Sequence, residues 1–167
     1  MAVVLCLLIG VACSSSQDKA SVDPKEAAQT IGSAYSLSED QSACLEKGFD
    51  KNHAATGPLA SDGAASDDDL RALGNVEMAC IPEETLAAAI VGGASEALGT
   101  MTAADKTCLD GAVRALDDTD RTTLLVGLVV STALNDAQTA ELGKVTNGLL
   151  GSCHVSVDAT TPTTPAP

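Results

Sequence analysis

The chain has 167 residues, one Tyr, one Phe, no Trp and a formal charge of −14. That length supports one domain or two very small ones, and an Ala-, Leu- and Val-rich chain poor in strand formers defaults to helix. The negative charge repels phosphate backbones and the scarcity of aromatics removes stacking platforms, so nucleic acid is excluded as a partner, whereas cations and basic partners are not.

Residues 2–12 (AVVLCLLIGVA) are wholly apolar. The run is too short to span a bilayer and has the length of a signal-peptide core. Ala12 precedes Cys13, and Ser14, Ser15, Ser16 and Gln17 follow. This arrangement resembles a bacterial lipobox. The resemblance implies cleavage before Cys13, a diacylglyceryl group on its thiol and acyl chains such as palmitate holding the new N-terminus at the membrane. Gly10 stands where such boxes usually carry Leu, and no Lys or Arg precedes the apolar run. A plain signal peptide, which would leave the protein secreted, and an apolar first helix are the other readings of these residues.

Residues 13–30 read as the lipidated cysteine and a flexible tether, and residues 155–167 as a disordered Thr/Pro-rich tail. Between them a pattern recurs. Leu37, Ser38, Gln41, Cys44 and Leu45 correspond to Met101, Thr102, Asp105, Cys108 and Leu109. In each copy an apolar residue precedes a Ser or Thr N-cap, and a side-chain acceptor follows three residues later: a capping box with Gln41, a near variant with Asp105. The cysteine then falls on the inner face of the predicted helix, with Gly48 and Phe49, or Ala112 and Val113, one turn on. This is the signature of an internal duplication, with a first helical repeat over 31–98 and a second over 99–154.

Each copy closes on a second cysteine. One stretch starts near Ser66, carries Asp67, Asp68 and Asp69 in its first turn, and passes through Leu70, Leu73 and Val76 to Cys80. The other runs from about Asp136 through Leu142, Val145 and Leu149 to Cys153. Pro82 starts a further helix with Glu83 and Glu84 at its positive end and Leu86, Ile90, Ala94 and Leu98 toward the core. Residues 122–134 (TTLLVGLVVSTAL) are apolar nearly all round and read as the most buried helix.

With Cys6 in the leader and Cys13 lipidated, four cysteines remain, and four allow three pairings. The duplication selects Cys44–Cys80 and Cys108–Cys153, the redox state expected of an exported chain. A zinc site is the rival use of these thiols, but no C-x-x-C spacing is present, and adjacent Cys153 and His154 are poorly placed to share one tetrahedral ion. No metal or cofactor is expected.

His53 and His154 are the only histidines. Neither accompanies a Gly-x-Ser-x-Gly turn, and paired cysteines leave no nucleophilic thiol, so no catalytic residues are assigned and both read as solvent-exposed. Asp67, Asp68 and Asp69, like Asp117, Asp118 and Asp120, lack the alternating spacing and Gly of a calcium loop; acidic residues at a helix start are ordinary dipole compensation. Gly92-Gly93 follows no strand, which argues against a phosphate loop and for close helix packing or a kink. The apolar stretch around Val126 to Val130 reads as core rather than as the lining of a cavity.

The duplicated unit resembles uncharacterised exported actinobacterial lipoproteins in which a Leu-Thr-x-x-Gln-x-x-Cys helix start is paired with a cysteine one short repeat downstream, often in tandem behind a lipobox. The matching residues are Leu37, Ser38, Gln41 and Cys44, then Met101, Thr102 and Cys108, with closing Cys80 and Cys153. The resemblance covers residues 37–153 and implies architecture without an activity. The expectation is an all-α protein, a small bundle of two duplicated disulfide-closed helical units. Its expected role is that of a non-catalytic cell-envelope lipoprotein, facing the extracytoplasmic side, that interacts with an envelope protein. A ligand-binding lipoprotein holding an apolar molecule or cation between helices is the alternative.

Overall fold

The computed structural model describes residues 22–60, 63–99 and 101–155. The expected leader, Cys13 and all of the tail beyond Val155 lie outside them. Among the described residues the regular structure is helical throughout: α1 (Pro24–Tyr35), α2 (Glu39–Lys51), α3 (Gly57–Ala60), α4 (Asp67–Cys80), α5 (Glu83–Leu98), α6 (Ala103–Arg114), α7 (Asp118–Val130) and α8 (Asp136–Ser152), with short 3-10 turns at His53–Thr56 and Ser131–Ala133. The all-α expectation holds.

Residues 24–30, expected to belong to a flexible tether over 13–30, are helical instead. Asp23 caps α1, its carboxylate accepting from the N–H groups of Lys25 and Glu26, and Pro24 supplies the preset first-turn φ. Ala27, Ala28, Ile31 and Tyr35 then form one buried stripe. Short Ala side chains in a polar sequence conceal that stripe from a composition-based reading.

Both predicted helix starts are capping boxes. Ser38 accepts from the Gln41 N–H and Gln41 Oε1 accepts from the Ser38 N–H at 2.8 Å. Asp105 closes the same loop on Thr102, accepting from its N–H and its hydroxyl, each at 2.8 Å, and these bonds hold the Asp105 carboxyl below the ordinary carboxylate value. The buried residues are the ones after the cysteines: Leu45 and Phe49 on α2, Leu109 and Val113 on α6. Cys44 and Cys108 are exposed, so they lie at the edge of the buried face and not on it. Their partners Cys80 and Cys153 are the buried ends of each bond.

Those bonds are Cys44–Cys80 and Cys108–Cys153, each with a Cα–Cα distance of 5.6 Å and within the normal disulfide range. Two such staples are the mark of a chain that matures in an oxidising compartment outside the cytoplasm. No helix among the described residues is long and apolar enough to cross a membrane.

The core forms where α4 lies between α2 and α7, with α1 against α2, α5 against α6, and α8 against α7 and α6. Close approach at two of these crossings needs glycine. A Cβ on Gly48 would sit 2.6 Å from Val76 Cγ1, and one on Gly74 would overlap Thr122 Cγ2. A Cβ on Gly92 or Gly93 would meet nothing within 4 Å, so of the two expectations for this pair, close packing or a kink, close packing does not hold. The most buried helix is α4 rather than α7. It buries seven residues, including Leu70, Leu73 and Val76, against five on α7, because it is covered from two sides. Leu128 on α7 remains 48% exposed. On α5 only Leu86 and Ala87 are fully buried; Ile90, Ala94 and Leu98 are half-buried.

Candidate functional site

Three helices build a groove. α7 forms its floor with Thr122, Thr123 and Val126, while α4 and α8 wall it with Leu70 and Leu142, and Leu134 lies at its far end. The volume is about 460 Å³ and the groove opens to solvent. Its apolar lining is buried or half-buried, and its exposed rim is polar: Asp67, Arg71, Asn75, Asp118 and Glu141.

The local sequence explains why a trough forms here. Gly74 lets α4 close on Thr122, and Gly127 brings α7 against the branched tip of Leu142, which a Cβ would approach to 2.6 Å. Both walls are therefore drawn onto the floor helix but do not fill the space above it. One end is tied shut: Gln138 Nε2 donates to Asp67 Oδ1 at 2.6 Å, joining the starts of α8 and α4, and the Ala65 N–H donates to the Ala133 carbonyl at 2.8 Å.

The acidic residues do not converge. Asp69 accepts the Ser66 hydroxyl at 2.7 Å, Asp68 pairs with Arg71 at 3.3 Å, and Asp67 takes the bond from Gln138. Asp117 caps α7 by accepting from the Asp120 N–H at 2.9 Å, which leaves Asp118 on the groove rim. Among the described residues no group of three or more His, Cys, Asp or Glu side chains is placed to hold a metal ion. His53 and His154 are both exposed. A second open space of about 500 Å³ lies on the other side of α8, walled by small residues such as Ala112, Ala115 and Gly148, and shares Glu141 with the first.

The other unusual group is inside the core. Glu77 is fully buried on α4, and neither carboxylate oxygen has a hydrogen-bond partner among the described residues. Burial pushes its carboxyl up to about 8, so the neutral acid is the form that the core holds at neutral pH. Nearby Tyr35 donates its hydroxyl to the Leu125 carbonyl at 2.7 Å, joining α1 to α7. The phenol's proton affinity is raised by burial first and by the Glu77 charge second.

Sequence reasoning located neither feature. Glu77 carried a signal, since it stands four residues after Leu73 and three before Cys80 on one helical face. The groove had a fainter one in Gly74 and Gly127, single glycines within apolar helical patterns.

Comparison of the chain with protein-family models, with curated proteins and with solved structures gives no match.

Proposed function

We propose that the protein is a non-catalytic interaction module of the cell envelope, exported and anchored by a lipid on Cys13, that binds a partner along the groove over α7. The observation that carries this reading is the groove's form. It is an open trough with Leu70, Val126, Leu134 and Leu142 in its lining and a polar rim, the layout of a surface that takes up part of another molecule. The scaffold beneath it is stapled twice, which suits a small module with a thin aromatic core working outside the cytoplasm. The lipobox-like run ending at Ala12-Cys13 supports the anchor, and kinship with tandem-repeat actinobacterial lipoproteins is part of the same proposal. The burial of Glu77, whose carboxyl is pushed up to about 8, supports a non-catalytic reading.

The volume of about 460 Å³ also lies within the range of small-ligand pockets, which sustains the ligand-binding alternative. Such pockets bury most of their ligand, however, and an open trough does not.

A photo-crosslinking side chain at exposed Asn75 on the groove rim, compared with one at exposed Ala97 on α5, separates the readings in the native host. Protein adducts at position 75 and none at position 97 are the expected result. Equal labelling at both positions, or none at 75, contradicts the proposal.

A further inference from the structure

The groove's rim has a sign as well as a shape. Asp67, Asp118 and Glu141 border it against one guanidinium, Arg71, which is already paired with Asp68 at 3.3 Å. Glu141 is met by Lys144 at 2.7 Å from outside the groove, so the rim carboxylates without a cationic side-chain partner are Asp67, which accepts from Gln138, and Asp118. Beneath it α7 presents Thr119, Thr122, Thr123 and Val126, two helical turns or about 11 Å, and the Thr122 and Thr123 hydroxyls donate back to the Asp118 and Thr119 carbonyls at 2.7 and 3.0 Å. That span matches the distance between apolar anchors at i, i+4 and i+7 of an amphipathic helix.

The geometry points to a cationic amphipathic segment of another protein as the occupant, its apolar face on Leu70, Val126 and Leu142 and its Lys or Arg side chains toward Asp67 and Asp118. This inference rests on the groove being an interaction site and adds the chemistry of what it accepts. Other occupants lack the complement. A second copy of this chain brings 23 acidic residues against 9 basic ones, and like-charged surfaces oppose docking. The chain's own residues 156–167 contain no Lys or Arg. An anionic membrane surface is repelled by the same rim.

The test uses the oxidised protein, isotope-labelled for chemical-shift mapping, and three synthetic helical peptides. One is a Leu/Lys amphipath with Leu on a single face. The second replaces every Lys with Glu, and the third replaces every Lys with Gln. The Leu/Lys peptide is expected to shift amides of α4, α7 and α8 around the groove, and the Leu/Glu peptide to shift none. Asp118→Asn is expected to weaken the Leu/Lys peptide about three- to five-fold, the value of one exposed ion pair, and Asp118→Lys more. Neither should change the Leu/Gln peptide. Thr123→Trp, which fills the floor, is expected to abolish binding, with far-UV circular dichroism and intact disulfides confirming its fold.

Binding of all three peptides in the groove with equal strength overturns the cationic preference but leaves the groove as an interaction site. Absence of groove shifts with any peptide overturns both the preference and the groove reading. Insensitivity of the Leu/Lys peptide to Asp118→Lys overturns the assignment of charge recognition to this rim.

Discussion

α4 and α8 are built alike and used differently. Each starts at a side-chain cap, Ser66 or Asn135, and each leads into a cysteine paired with an earlier helix. Yet α4 is enclosed between α2 and α7, while α8 buries only Val145 and Leu149 along its 17 residues and has open space on both flanks. The same covalent device therefore closes a core around α4 and pins a wall in place at α8. The groove exists because α8 packs along its length on α7 and α6 but meets α4 only near its start, through Gln138–Asp67.

Removing the bonds should expose this difference most strongly. Loops of 36 and 45 residues each correspond to about 4 kcal/mol in the chain-entropy model. Replacing Cys44 and Cys80 with Ala is expected to lower global stability by roughly that amount in urea denaturation, with protection lost across the core. Replacing Cys108 and Cys153 is expected to release α8 first. Its amides should then exchange quickly while those of α4 stay protected in native-state hydrogen exchange. Uniform loss in both variants would remove the distinction.

Glu77 tests how closed the α4 side is. Its folded carboxyl is pushed from 4.5 to about 8, so between those values the folded state retains a proton that the unfolded chain releases. The stabilising contribution is complete below pH 4.5 and is lost as pH rises through 8. At about 1.4 kcal/mol per pH unit the change between 4.5 and about 8 is on the order of 5 kcal/mol. Glu77→Gln is expected to flatten this part of the pH dependence relative to wild type. An unchanged difference between pH 5 and pH 8 would mean that the carboxyl is not sealed.

The smallest effect separates the two glycine crossings. At Gly74 the obstacle to a methyl is Thr122 Cγ2, one bond from its own Cβ and unable to retreat, with Val126 Cγ2 also at 3.3 Å. Gly74→Ala should therefore cost ~1–3 kcal/mol by overpacking, more than the gain in helix propensity of about 1 kcal/mol. At Gly127 the obstacle is the flexible end of Leu142, which borders the groove. Gly127→Ala should fall within ~1 kcal/mol of wild type in thermal denaturation. Equal destabilisation would show that α8 is as tightly set as α4.

What the sequence disclosed, and what it hid, divides along the same line. Helix starts were legible because a capping box is local chemistry: Ser38 with Gln41 and Thr102 with Asp105 need only four residues each. The disulfide pairing followed from the duplicated spacing. Burial was legible only where one face decides it. Cys44 and Cys108 stand next to Leu45 and Leu109, and a shift of one residue around the helix carries them from the inner face to its edge. The close-packing reading of Gly92-Gly93 failed, and Gly74 and Gly127 went unnoticed, because close packing depends on which helices cross, not on glycine density. The groove depends on two crossings at once, α4 on α7 and α8 on α7, and has no signature within any one segment.

The proposed role requires export, a lipid anchor at Cys13 and both disulfides. Intact mass of the protein purified from membranes of its native host, before and after reduction, addresses that most directly. The predicted result is a chain beginning at Cys13 with a diacylglyceryl adduct, gaining four hydrogens on reduction, two for each of the bonds Cys44–Cys80 and Cys108–Cys153. An unlipidated mass that does not change on reduction would contradict it, returning all four thiols to other chemistry and the groove to another compartment.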